Sequence, residues 1–211
     1  MKLNELRIRC IRKTEQADDE TLVADNFDEI KNTDSDYRAA ALNVDDAINE
    51  AVNFLIANDK LPLRAMEVEV GKASRLSCLS VSSYPDLTKA REIRKCHFYE
   101  TSGNAYAVEF SAFGGKIRLG SPVSDGTLVV FYQPVVPEID DSCDGNADVS
   151  EYGFDETTAL FVLNYAKSNL YEKQEPDIAM AYRSIAMQYA AAIRVDVSLP
   201  TQRKVRRVIG L

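Results

Sequence analysis

The side chains of this chain with chemical potential are four cysteines, one histidine and a run of aspartates. His97 sits in the strand-like run RKCHFYE, on the same side as Lys95 and Tyr99. A single histidine largely excludes multi-His metal sites and strains any His-based triad, so His97 reads as structural or surface. Cys10, Cys78, Cys96 and Cys143 form no C-x-x-C pair and lie at long, irregular intervals. Neither a zinc ribbon nor a disulfide framework is expected, and the thiols read as free in a reducing cytoplasm. Cys78 and Cys96 read as small buried hydrophobes in strands. Asp140, Asp144, Gly145, Asp148 and Glu151 fall in the register of a calcium-binding EF loop. Ser142 stands where Asp or Asn is usual, however, and Pro137 and Gly153 leave no room for flanking helices, so the stretch reads as a solvated linker. Gly115-Lys116 matches the end of a P-loop, but Phe110 stands where its first glycine belongs and Ile117 replaces Ser or Thr. There is no G-x-G-x-x-G before a helix and no G-x-S-x-G elbow. The expectation is a protein that is not an enzyme, with no catalytic residue, metal or cofactor.

Charge is segregated. The 211 residues carry 25 Lys and Arg against 33 Asp and Glu, a net −8, which makes a poor general binder of nucleic acid. Residues 1–13 are basic, residues 18–59 and 138–156 are strongly acidic, and the end turns basic again. The basic arm contains Arg203, Lys204, Arg206 and Arg207 interleaved with Val205 and Val208, a mixture that favours docking on a protein, with nucleic acid as another partner. The N-terminus lacks the apolar stretch of a signal peptide, and no apolar run approaches the roughly 18 residues of a membrane span. A soluble chain that folds in the cytoplasm is expected.

The elements that position these residues follow from periodicity. Leu3, Leu6 and Cys10 give a first helix over 3–13, and 15–33 reads as a long, partly helical loop. Tyr37, Ala41, Val44, Ile48, Val52 and Leu55 keep a 3.6-residue stripe, so a second helix runs over about 36–58, capped by Asp34, Ser35 or Asp36. From Leu61 to Pro137 the period drops toward 2, predicting five or six strands. One is Tyr106–Phe110, with hairpin turns at Gly114-Gly115 and Ser124-Asp125-Gly126. Helices resume after Asp155, with Ala159, Val162, Leu163, Ala166 and Leu170 on one face. A last helix starts at Pro176 with Ile178, Tyr182, Ile185, Tyr189 and Ala192 as its stripe. The expected fold is α+β. A bundle of about four helices (residues 1–60 and 153–195) carries an inserted antiparallel β-unit (61–137), an acidic linker (138–152) and an extended basic C-terminal arm (196–211).

Four segments in this order resemble the ring-forming head-to-tail connector (adaptor) proteins of tailed bacteriophages. They are LNELRIRCIRKT, the helix DDAINEAVNFLI, the stretch YAVEFSAFGGKIRLGSPVSDGTLVVFYQPVVPEI and the closing pair DETTALFVLNYAKSNLYEKQEPDIAMAYRSIAMQYAAAI. The acidic stretch 15–33 and the linker 138–152 depart from the family pattern, and Gly120 stands where the family often shows Pro. The resemblance implies a virion structural protein of the neck: a cyclic homo-oligomer, commonly a dodecamer, bound below the portal protein. It would extend the channel through which DNA leaves and offer a platform to the tail or a second connector. In that setting Asp45, Asp46, Glu50, Asp140, Asp141 and Asp144 are candidates for an acidic channel or interface past which DNA slides without specific binding. Arg203, Lys204, Val205, Arg206, Arg207 and Val208 would form a partner-docking arm. The other class of reading is a cytoplasmic binding or chaperone-like adaptor that uses the same arm on nucleic acid or an acidic partner.

Overall fold

The sharp change of period near residue 60 marks a real boundary between helical and sheet structure. A computed structural model describes residues 1–12, 22–32 and 37–193. α1 (Leu3–Ile11) buries Leu3, Leu6 and Cys10 as the spacing predicts, and Arg7, Ile8 and Ile11 as well. It stops at Arg12, whose backbone turns extended while its N–H still reaches Ile8 O, and residue 13 lies outside the described residues. A 3-10 turn, Ala24–Asn26, leads into α2 (Phe27–Asn32), which sends Phe27 and Ile30 into the core from a stretch expected to be mostly loop. α3 (Arg38–Ala57) buries Ala41, Val44, Ile48, Val52 and Leu55, with Ala47 and Ala51 beside them. The expected caps Asp34, Ser35 and Asp36 lie outside the described residues. α5 (Glu156–Tyr171) starts where the Asp155 carboxylate accepts the Thr158 backbone N–H at 2.7 Å. This bond satisfies one of the four orphan donors of the first turn. α6 (Pro176–Ala192) starts on proline, whose missing N–H costs nothing there. One core draws on all five of these helices.

The last stripe differs from expectation. α6 buries Ala179, Ala186 and Ala190, followed by Ile193, while Ile185 and Ala192 are exposed. Size explains the rotation. The facing side of α5 holds Lys167 fully buried, its Nζ 4.6 Å from the centre of the Tyr182 ring. Methyl side chains let the two backbones approach closely, and the tyrosines flank the seam half-buried. The helix count differs too, with six among the described residues instead of about four. The additional ones are short: α2 has six residues, and the single turn α4 (Pro85–Thr88) lies among the strands.

The β-region has seven strands: β1 (Arg64–Val70), β2 (Leu76–Ser80), β3 (Ala90–Glu100), β4 (Ala105–Ala107), β5 (Phe110–Phe113), β6 (Lys116–Val123) and β7 (Gly126–Pro134). They form two antiparallel sheets, ordered β1-β7-β3-β4 and β2-β6-β5. Met66, Cys96, Phe98, Leu128 and Val130 of the first sheet share a core with Leu79, Ile117, Leu119 and Val123 of the second. Helix makes up 46% of the molecule and antiparallel sheet 27%, so the class is α+β.

Three strand-level expectations change. The single strand expected over Tyr106–Phe110 divides between the sheets. Val108 N–H donates to Cys96 O of β3 at 2.8 Å, whereas Glu109 O accepts from Gly120 of β6 at 2.7 Å. Ser124-Asp125-Gly126 is a corner between sheets, since β6 and β7 share no ladder. Its positive φ belongs to Asp125 (61°). Gly126 serves close approach instead, because a Cβ there would stand 2.1 Å from Tyr99 O. Finally, Cys78 is exposed, unlike Cys96. Leu79 takes the inward position of β2, so alternation along the strand turns its neighbour Cys78 outward.

The segment 138–152 is more than a solvated linker. Ile139, Val149 and Tyr152 are buried in the helical core. Its backbone is stapled to the N-terminus: Leu3 N–H donates to Ala147 O at 3.0 Å, Asn4 N–H to Gly145 O at 2.8 Å, and Val149 N–H to Met1 O at 3.0 Å. Acidic composition described the outer side chains only.

Candidate functional site

The residues singled out for chemistry are occupied with local structure. The Asp140 carboxylate accepts from Ser142 N–H at 2.8 Å and Ser142 Oγ at 2.6 Å, Asp144 from Asn146 N–H at 2.9 Å, and Asp148 from Ser150 N–H at 2.8 Å. Each is an Asx turn two residues long, so the spacing that imitates an EF loop is a series of turns. The Ser150 hydrogen bonds, then the Met1 ammonium, pull the Asp148 carboxyl down to about 2. Hydrogen bonds from Ser142, then Cys143, lower that of Asp140. Among the described residues no group of three or more His, Cys, Asp or Glu could hold a metal ion. His97 stands edge-on to Phe131, ring centres 5.8 Å apart, and burial followed by the neighbouring Lys95 charge lowers its pKa. Gly114 and Gly115, at φ 59° and 71°, form the two-residue hairpin turn that the sequence predicts, so the Gly-Lys pair is a turn and not a phosphate loop.

The six acidic candidates separate. Asp45 is joined to Arg7 by two hydrogen bonds, 2.7 Å from Nε and 2.8 Å from Nη2. Arg7 also donates to Asp140 O at 2.8 Å and Asn4 Oδ1 at 3.0 Å, and its guanidinium lies 5.1 Å from the centre of the Phe27 ring. Asp45 and the Asp140 backbone therefore converge on one cation. Asp46 and Glu50, one helical turn apart, line an open groove of about 450 Å³ between α3 and the end of α5, with Asn43, Lys173 and Gln174 around them. Glu50 accepts from Asn169 Nδ2 at 2.7 Å. Asp141 pairs with Lys31, and Asp144 is held in its turn. One signal could have set Asp45 apart: it follows Val44 on the edge of the buried stripe, whereas Asp46 sits further round. The arm residues Arg203, Lys204, Val205, Arg206, Arg207 and Val208 lie outside the described residues.

The surface that the sequence reading missed is the outer side of α6. With the alanine seam turned inward, Met180 and Met187 are 65% and 46% exposed and Ile185 is 38% exposed. Ala181, Gln188, Ala191 and Ala192 lie between them, and Asp177 is the single charge among the exposed residues of the helix. No helix among the described residues is long and apolar enough to cross a membrane. The chain matches no known protein-family profile and no curated protein.

Proposed function

We propose that this chain is a structural subunit of the neck of a tailed phage, a non-enzymatic head-to-tail connector. It assembles into a ring, commonly of twelve copies, beneath the portal protein. The ring extends the DNA channel and gives the tail or a second connector its platform. The observation that carries this reading is the outer face of α6: an almost uncharged, methionine- and alanine-rich surface along the whole helix of a molecule with net charge −8. Such a face is costly to leave in water, and small residues permit the close, repeated contacts of a heterologous ring interface. The α+β order, with a two-sheet region between helical segments, and the segment resemblance support the same reading. Asp46, Glu50, Asp141 and Asp144 then supply the acidic wall, and residues 196–211 the arm that docks on the portal.

Negative-stain imaging and light scattering of the purified chain test it, with closed rings as the expected outcome. Met180→Glu with Met187→Glu places charge in the interface and should give monomers that melt at the wild-type temperature. A wild-type chain that stays monomeric and fails to bind a portal ring overturns the proposal.

A further inference from the structure

A second exposed surface lies in the β-region. In the β2-β6-β5 sheet, Leu79, Ile117 and Leu119 turn inward, 2%, 0% and 8% exposed. Strand alternation therefore turns Cys78, Lys116 and Arg118 outward, and all three are exposed. The register sets Lys116 between Ser80 and Phe113, and Arg118 between Cys78 and Ser111. Phe113, the last residue before the Gly114-Gly115 turn, is 91% exposed, the most exposed large hydrophobic among the described residues. The strands β2, β5 and β6 contain no Asp or Glu, in a chain that has 33; the carboxylate that does reach this face is that of Glu109, just before β5, which lies over Gly120, two residues along β6 from Arg118. Neither Lys116 nor Arg118 forms an ion pair with a described residue. The other sheet mixes its cations with Glu67, Glu69, Glu92 and Glu100.

These features have one chemistry in common. Two cations on one strand and one face, about 7 Å apart, match the stride of successive phosphates along an extended strand. The small side chains of Ser80, Ser111 and Cys78 keep the face low beside the two cations. A ring held up by a two-residue turn, with only two side-chain torsions to fix, is a stacking platform. A duplex keeps its bases stacked inside and gives Phe113 nothing to stack on, whereas a single strand does. We propose that the outer face of the β2-β6-β5 sheet binds single-stranded nucleic acid, Phe113 stacking on a base and Lys116 and Arg118 contacting adjacent phosphates. The inference is independent of the ring assignment. It also refines the reading of −8 as a bar to nucleic acid: net charge governs long-range attraction, while contact depends on local charge.

The test is fluorescence anisotropy of a labelled oligothymidylate titrated with the full chain across a salt series. Lys116→Glu with Arg118→Glu should weaken binding and flatten the slope of log K against log salt by about 1.4, the value for two phosphate contacts on a single strand. Phe113→Ala should weaken binding by about fivefold or more while leaving that slope unchanged. The chain has no tryptophan, so Phe113→Trp installs a lone indole, whose emission should be quenched by a stacked base. All three positions are exposed, and thermal melting checks that the fold is intact. The proposal is overturned if the wild-type chain does not bind at low salt, or if the variants bind as it does, which would place binding elsewhere, such as residues 203–207. An unquenched indole in the bound state, or a duplex that competes as well as the single strand, overturns it equally.

Discussion

Cys78 and Cys96 have similar strand contexts and opposite fates. Burial pushes the Cys96 thiol up to about 12, so it carries almost no thiolate at neutral pH. Cys10 is fully buried, its thiol facing Leu163 O at 3.9 Å. A colorimetric thiol titration of the native chain should find Cys78 reacting at once and Cys143 more slowly. Cys10 and Cys96 should stay silent until urea is added, and rapid native labelling of Cys96 would contradict the sheet packing. The same contrast separates Asp45 from Asp46: adjacent carboxylates, one bound to Arg7 and one in an open groove. Residue type was legible from the chain, but the partner was not, because Arg7 lies 38 positions away.

Helices and strands were the most legible elements, since their periods are local. The stripes of α1, α3 and α5 landed inside, and α5 begins at the expected cap. Asp155→Ala should cost about 1 kcal/mol, read as a lower urea midpoint with an unchanged slope, because it frees the N–H of the buried Thr158. α6 was legible as a helix but not in its facing. Its sequence offers two apolar sides, one of tyrosines and isoleucines and one of alanines, and periodicity counts hydrophobicity without weighing volume. The neighbour's shape broke the tie, favouring the alanines against the filled surface of α5. The tyrosine-bearing side went to the seam's margins and left Met180 and Met187 outside. In the sheets, alternation located the strands but not their partners. Tyr106–Phe110 carries a strand's pattern across Val108 and Glu109, where the backbone changes sheets.

At the scale of the molecule, Arg7 is the pin. It ties α1 to α3 through Asp45 and to the 138–152 segment through Asp140 O, next to the backbone staple between residues 1–4 and 145–149. Arg7→Met leaves Asp45, whose side chain is 14% exposed, without its cation. It should lower stability by about 3 kcal/mol, at the low end of the range for breaking a buried pair. Adding Asp45→Leu should recover part of that loss in urea unfolding, since no lone charge remains. If the single variant melts like wild type, the network does not hold these segments together.

Composition and local period were enough to establish an α+β molecule, a sheet region between helical regions, the positions of most elements and the blocks of charge. These properties belong to a few neighbouring residues and need no knowledge of what lies opposite. The division of seven strands into two sheets, the inward face of α6, the packing of the 138–152 segment and the sorting of the acidic residues depend on contacts between distant parts of the chain. Gly126 shows the reason most plainly. The sequence offers it as a turn glycine, yet it is required because the Tyr99 carbonyl passes where its side chain would be, a constraint that exists only after the two strands have met.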